Sequence, residues 1–187
     1  MPSREAIDAA WQQAQSVAAS EGVDLLLGAE NYWDEVFLER GHQSQVPCYT
    51  GGKAFLVEIT PQLAPPMFEQ RLFGFRSKRL LPVLAHPERY TVVQQDLHRA
   101  ESIGKVCALV VDLGALDGAH GRKESKTARA LVLEGLAAAC ASDVHCEEDV
   151  RAVVAGMAWI EKKLGRERLE QLLSDHPRAI LTGELPA

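Results

Sequence analysis

The sequence predicts an α/β fold of parallel strands with outer helices, arranged as an α/β barrel. Three observations predict it. Short apolar runs alternate with helix-length segments, the order that builds βαβ units and parallel pairing. Most of these runs are apolar throughout rather than at every second residue, as expected of strands covered on both faces. An acid or an imidazole stands at or just past the end of each run, where an α/β barrel builds its active site.

The elements follow in order. Ser3 to Glu21 carries Ile7, Ala10, Trp11, Ala14, Val17 and Ala18 at helical spacing, and Gly22 stops the pattern. "VDLLLG" at 23–28 reads as a short buried strand and is followed by Glu30 in "GAENYW". "AFLVEI" at 54–59 is a second strand, ending near Glu58. "RLLPVLA" at 79–85 contains a third and stops at His86. "CALVVDL" at 107–113 is a fourth and contains Asp112, and "AAACAS" at 137–142 is a weaker fifth that runs into Asp143 and His145 in "ASDVH". Helices are expected at about 66–78, 92–104 and 123–135, then a long one at 147–164 and a shorter one at 166–174.

Composition bounds the reading. The chain has 187 residues, 47% hydrophobic and 25% charged, which suits one globular domain over 1–187 with a sizeable core. No apolar stretch reaches membrane-helix length and no secretory leader opens the sequence, so no membrane insertion and a cytoplasmic location are expected. The net charge of −6 argues against a nucleic-acid surface. Cys48, Cys107, Cys140 and Cys146 form no CxxC pair, and a disulfide framework is not expected.

Glu, Asp and His gathered at strand ends suit divalent manganese, iron or zinc. If the segment stays extended, Asp143 and His145 point the same way, toward one ion or a pair. Such ions lower the pKa of bound water and clamp phosphoryl oxygens. Arg89, three residues past His86, would offer a planar fork to a phosphate. The chemistry expected is metal-assisted hydrolysis of a phosphate ester. Each residue alone also admits a structural role. His86 could be a satisfied core histidine, Glu58 a strand-end residue facing solvent, and Glu30 a first-turn acid. Asp143 could cap the next helix, Arg89 could pair with Glu88 or a neighbouring acid on the surface, and Asp112 has the weakest claim of the set. "HCEEDVR" at 145–151 superficially suggests a cysteine-phosphatase loop, but that loop needs five residues between Cys and Arg and here there are four. Its acids would also repel phosphate and raise the Cys146 thiol.

"LAHPERY", "GAENYW", "LVEI" and "ASDVH" resemble the bacterial manganese-dependent protein-tyrosine phosphatases of capsular and exopolysaccharide loci, within the polymerase-and-histidinol-phosphatase (PHP) superfamily. The resemblance runs from about Val23 to the end, including "AWIEKKLG" and "DHPRAIL". It implies a distorted TIM-like (PHP) barrel with a cluster of metal ions. It also implies a substrate, phosphotyrosine on the tail of a bacterial tyrosine autokinase that controls polysaccharide export. By position, Glu30, Glu58, His86, Asp143 and His145 match the metal ligands, with His86 and Asp143 also in the catalytic set, and Arg89 matches a phosphate-binding arginine. Arg151 stands near a second family arginine but is displaced by one residue. The family also opens with a strand carrying His-x-His and a further histidine ligand, and nothing here matches either. The resemblance therefore implies a barrel incomplete at its N-terminus, with exposed edges that favour a homo-oligomer or binding of the absent piece. It implies fewer ions held more loosely, and weak or absent phosphatase activity until a segment bearing His-x-His is supplied. Two other functions stay open at this point: a catalytically impaired regulator that binds phosphotyrosine or the kinase, and a PHP phosphoesterase acting on a small phosphate ester.

Overall fold

Ser3 caps helix α1 (Arg4–Ser20), its hydroxyl accepting the Ala6 N–H at 3.2 Å. The computed structural model describes residues 3–186. The expected apolar spacing of α1 does not bury a face: Ile7 and Val17 are exposed, and Trp11 and Ala18 are half-buried. The strand expected at 23–28 does not form. Val23, Leu25, Leu26 and Leu27 are exposed, and the Leu27 carbonyl is held only by the N–H and hydroxyl of Thr50. A strand needs a ladder partner as well as an apolar run, and among the described residues pairing begins only at Glu30. The first strand is therefore β1 (Glu30–Tyr32), so Glu30 opens it instead of following it.

The other strands fall where expected, slightly shorter: β2 (Ala54–Glu58), β3 (Leu81–Ala85), β4 (Ala108–Asp112) and β5 (Ala139–Ala141). Each pairs in parallel with the next, in the order β1-β2-β3-β4-β5. Sequential parallel strands with the helices wound one way are barrel topology. Among the described residues the sheet is a five-stranded arc, paired on one side only at β1 and at β5.

Helices α3 (Phe68–Ser77), α7 (Arg122–Leu133) and α8 (Asp149–Leu164) match the expected ones. The helix expected at 92–104 breaks at Asp96 into α4 (Thr91–Gln95) and α5 (Leu97–Gly104), because Asp96 is extended and caps the second piece through His98 N–H. Three helices were not expected: α2 (Glu35–His42), α6 (Leu113–Asp117) and α10 (His176–Thr182). The segment at 166–174 is α9 (Arg166–Glu170) continuing into a π-turn.

The sheet separates two cores. Outward-facing Phe55, Val57, Leu84, Leu109, Val111 and Cys140 belong to the main core under the helices. Its aromatic part, Trp33, Phe37, Phe55, Phe68 and Phe75, has ring centroids 4.8–6.5 Å apart and braces β1 and β2 from behind. On the concave side, Ala54, Leu81, Val83, Ala108 and Ala139 pack with Ile180 of α10. The inner wall is small enough there for a helix to cover it. His176 of the same helix bonds the Ala138 carbonyl through Nδ1 at 2.8 Å.

At the other end of the sheet, α6 and α8 approach so closely that a Cβ on Gly156 would sit 2.1 Å from the Leu113 carbonyl oxygen. Leu113 follows Asp112 directly, so this contact seats the end of β4. Gly156→Ala must push backbone against backbone. It is expected to destabilise the fold by about 1–3 kcal/mol or more, read as a lowered midpoint in urea.

Candidate functional site

The candidate residues gather at the carboxyl ends of the strands, and the period of two explains how. Ala54 and Leu56 face the concave side, so Glu58 faces it too. Glu30 is in register with Leu56 and projects onto the same side. His86 needs a different device. Leu81 and Val83 face inward, so continued alternation would turn His86 outward. Its φ of 33° places it in the left-handed region and re-aims the ring. The outcome is a triad: ligand atoms of Glu30, Glu58 and His86 lie within 4.8 Å of one another. His86 Nε2 is 3.8 Å from Glu30 Oε1 and 3.7 Å from Glu58 Oε1. These gaps are too long for hydrogen bonds. They suit three donors around one ion, each about 2.0–2.2 Å from it.

The electrostatics agree with that use. Burial, then the charges of Glu58 and Asp143, raise the Glu30 pKa. Burial, then Arg89, lowers His86 to about 4, so at neutral pH its imidazole is uncharged and holds a lone pair for an ion. Its Nδ1 is buried without a partner among the described residues.

A second constellation stands beside the first. Arg89 ends a 3-10 turn (Pro87–Arg89), and its Nη2 donates to Asp112 Oδ2 at 2.8 Å and to Asp143 Oδ2 at 2.6 Å. Of the pairings open from sequence, the one with Glu88 does not form; Arg89 pairs instead with neighbouring acids, of which Asp112 is buried rather than on the surface. Glu88 is fully buried, and its Oε1 accepts the Asp112 N–H at 3.3 Å. The Arg89 pKa is raised: burial pulls it down, but the hydrogen bonds and charges of Asp112 and Asp143 outweigh that. Asp112 is buried and caps α6 through Gly114 N–H. Arg89, Asp112, Asp143 and His145 line a cavity of about 320 Å³ together with His120.

Asp143 and His145 do not lie on an extended segment, as their spacing had suggested. Asp143 has φ 47°, and His145 is exposed with Nδ1 2.7 Å from the Asp143 carbonyl oxygen. The turn is pinned by Asp149, which accepts the N–H groups of His145 and Cys146. Asp143 and His145 nevertheless lie close enough to Glu30 to act on its charge. Arg151 is exposed on α8 and is not among the residues lining the cavity. Asp112, the weakest candidate from sequence, and His120, which no motif marks, are bonded to each other through Oδ2 and Nε2. Eight residues separate them, across a short helix that was not anticipated.

Fold and site together define a singly wound β/α protein with an acidic, histidine-bearing centre suited to a divalent cation. The model of the capsular polysaccharide synthesis family CpsB/CapC matches residues 2–182, and the chain belongs to that family. It is 27% identical over 176 residues to the tyrosine-protein phosphatase CpsB of Streptococcus agalactiae serotype V, covering 86% of this chain and 69% of that protein. It is 25% identical over 190 residues to the protein of the same name from Streptococcus pneumoniae, covering 92% and 75%. Among solved structures it superposes with a TM-score of 0.78 at 21% identity, covering 94% of this chain and 72% of the other. That structure comes from work on YwqE of Bacillus subtilis and CpsB of Streptococcus pneumoniae, described as unique metal-dependent tyrosine phosphatases, and the likeness establishes a shared fold. Among the described residues no helix is long and apolar enough to cross a membrane.

Two predictions follow from the site's charges. Burial, then the Asp112 charge, pushes Glu88 up to about 8, so the metal-free native state keeps a proton there that the unfolded chain releases above its ordinary value of 4.5. Stability from Glu88 is therefore lost as pH rises from about 4.5 to 8. His86 acts in the opposite sense, but only between about 4 and 6.5. From pH 6.5 to 8 the metal-free protein should lose stability on the order of 2 kcal/mol, and Glu88→Gln should flatten that slope in denaturant titrations. The Cys146 thiol pKa is raised by hydrogen bonds to Glu148 and Asp149, against any use as a thiolate. Cys146→Ser is expected to leave phosphate-ester hydrolysis within about twofold of the unaltered chain, measured with manganese present.

Proposed function

We propose that this chain is a metal-dependent phosphotyrosine-protein phosphatase acting in capsule or exopolysaccharide synthesis. The observation that carries the proposal is the convergence of Glu30, Glu58 and His86 beside Arg89. The printed names of the relatives, tyrosine-protein phosphatases, support the substrate class. The proposed substrate is the phosphorylated tail of a bacterial tyrosine autokinase, the proposed location is the cytoplasm, and a homo-oligomer is part of the proposal.

Glu30, Glu58 and His86 would hold the ion, with Asp143 and His145 of the loop after β5 as further donors. Manganese is proposed, and the same donors also accept iron or zinc. Such an ion, when bound, supplies an acidified water and a positive clamp on phosphoryl oxygens. Arg89 binds and orients the phosphate. Its Nη2 is anchored by two carboxylates, while its buried Nε has no partner among the described residues. The guanidinium plane is thus fixed before substrate arrives. The leaving tyrosinate has a conjugate-acid pKa of about 10, so it departs more readily than an alkoxide. With the triad assembled, slow turnover is expected of these 187 residues rather than none.

The test is manganese binding and hydrolysis of a phosphotyrosine peptide measured side by side. His86→Ala is expected to weaken manganese binding by more than about 100-fold and to abolish hydrolysis, as should chelation. Full activity in His86→Ala, or no manganese-dependent hydrolysis by the unaltered chain, would overturn the proposal.

A further inference from the structure

His120 is the one ionisable side chain on the cavity wall bonded to Arg89's buried anchor that the reading above leaves unused. Its Nε2 lies 2.5 Å from Asp112 Oδ2 and 3.2 Å from Arg89 Nη2. The side chain is 40% exposed and Asp112 is 2% exposed, so a buried carboxylate holds an imidazole at the cavity mouth. The tautomer follows from the donors around Asp112. That carboxylate already accepts from Arg89 Nη2 and from the Gly114 N–H. A group accepting an arginine and a backbone amide is an ionised acceptor, so the proton between Asp112 and His120 belongs to Nε2. Nδ1 is then the nitrogen left for a ligand, with no hydrogen bond to the protein among the described residues. The charged and titratable groups facing the same space are Arg89, Asp112, Asp143, His145, Cys146 and Asp149.

We propose that His120, oriented by Asp112, donates the proton that the leaving aryl oxygen takes up when a phosphate monoester is cleaved at Arg89. This rests on the phosphatase reading above. In the step, a water oxygen bonds to phosphorus and the P–O(aryl) bond breaks, its electron pair passing to the aryl oxygen. The Nδ1–H proton of the His120 imidazolium moves to that oxygen, giving the free phenol. One water proton stays on the phosphate and the other goes to solvent, which returns a proton to Nδ1. Asp112 accepts from Nε2–H throughout, so the ring keeps one orientation in both charge states. Asp112 is a positioning residue and His120 is the donor.

Two aryl phosphates that differ by one para substituent test this: phenyl phosphate, whose leaving group needs a proton, and p-nitrophenyl phosphate, whose markedly more acidic phenol does not. General-acid assistance is worth 10²–10⁴-fold where it operates. His120→Gln is expected to slow phenyl phosphate hydrolysis by about 100-fold or more and to change p-nitrophenyl phosphate hydrolysis little. Circular dichroism and manganese affinity, compared with the unaltered chain, check that the variant folds and keeps its ion. A merely structural His120 would slow both substrates alike. Equal losses, or no loss on either, would overturn the role of His120 and leave the phosphatase reading standing. If the unaltered chain hydrolyses neither substrate with manganese, the phosphatase reading falls and this inference falls with it.

Discussion

The guanidinium of Arg89, held between Asp112 and Asp143, ties the site together. The arginine comes from the turn after β3, one carboxylate from the end of β4 and the other from the loop after β5. One cation therefore links three consecutive strand ends. With Arg89 and Asp143 only partly shielded and Asp112 buried, the pairing is neither a solvent-screened surface bridge nor a fully desolvated one. What it supplies is geometry. A planar group with two anchors presents its remaining N–H edge in one direction.

The arrangement has local costs, and they cluster. His86 and Asp143 both adopt positive φ, a region that L side chains rarely occupy. Glu88, between His86 and Arg89, is buried with one carboxyl oxygen unpartnered among the described residues. A buried neutral carboxyl, a buried neutral imidazole and two left-handed residues within one strand-end neighbourhood are unfavourable separately. They persist because the surrounding structure over-determines them. The aromatic group of Trp33, Phe37, Phe55, Phe68 and Phe75 braces β1 and β2, and the Gly156–Leu113 approach seats β4. Rigid packing behind the sheet holds a strained, acidic face in front of it.

That face divides into two halves sharing Arg89. On one side the triad offers carboxylates and a neutral imidazole to a cation. On the other, Asp112 presents His120 to the cavity. Arg89 acts on the charge states of Glu30 and His86 and is bonded to Asp112. A phosphoryl group engaged by the arginine would lie near both the cation-binding cluster and His120.

The sequence by itself determined the parallel β/α order and which strand ends carry acids and imidazoles. Those follow from local patterns: apolar runs of strand length, helical spacing between them, and Glu58 two residues beyond Leu56 on a period of two. Its family motifs were legible for the same reason, since they are contiguous. The tertiary structure alone decided the rest. "VDLLLG" looked like a strand, but strand formation requires a ladder partner, which is a non-local property. Asp143 and His145 looked co-directional, but a left-handed turn pinned by Asp149 separates them. Alternation alone would have turned His86 away, and the backbone reversal that brings it inward has no sequence signature of its own. His120 was invisible because its meaning depends on Asp112, and a carboxylate–imidazole pair eight residues apart becomes a pair only when a short helix folds it back.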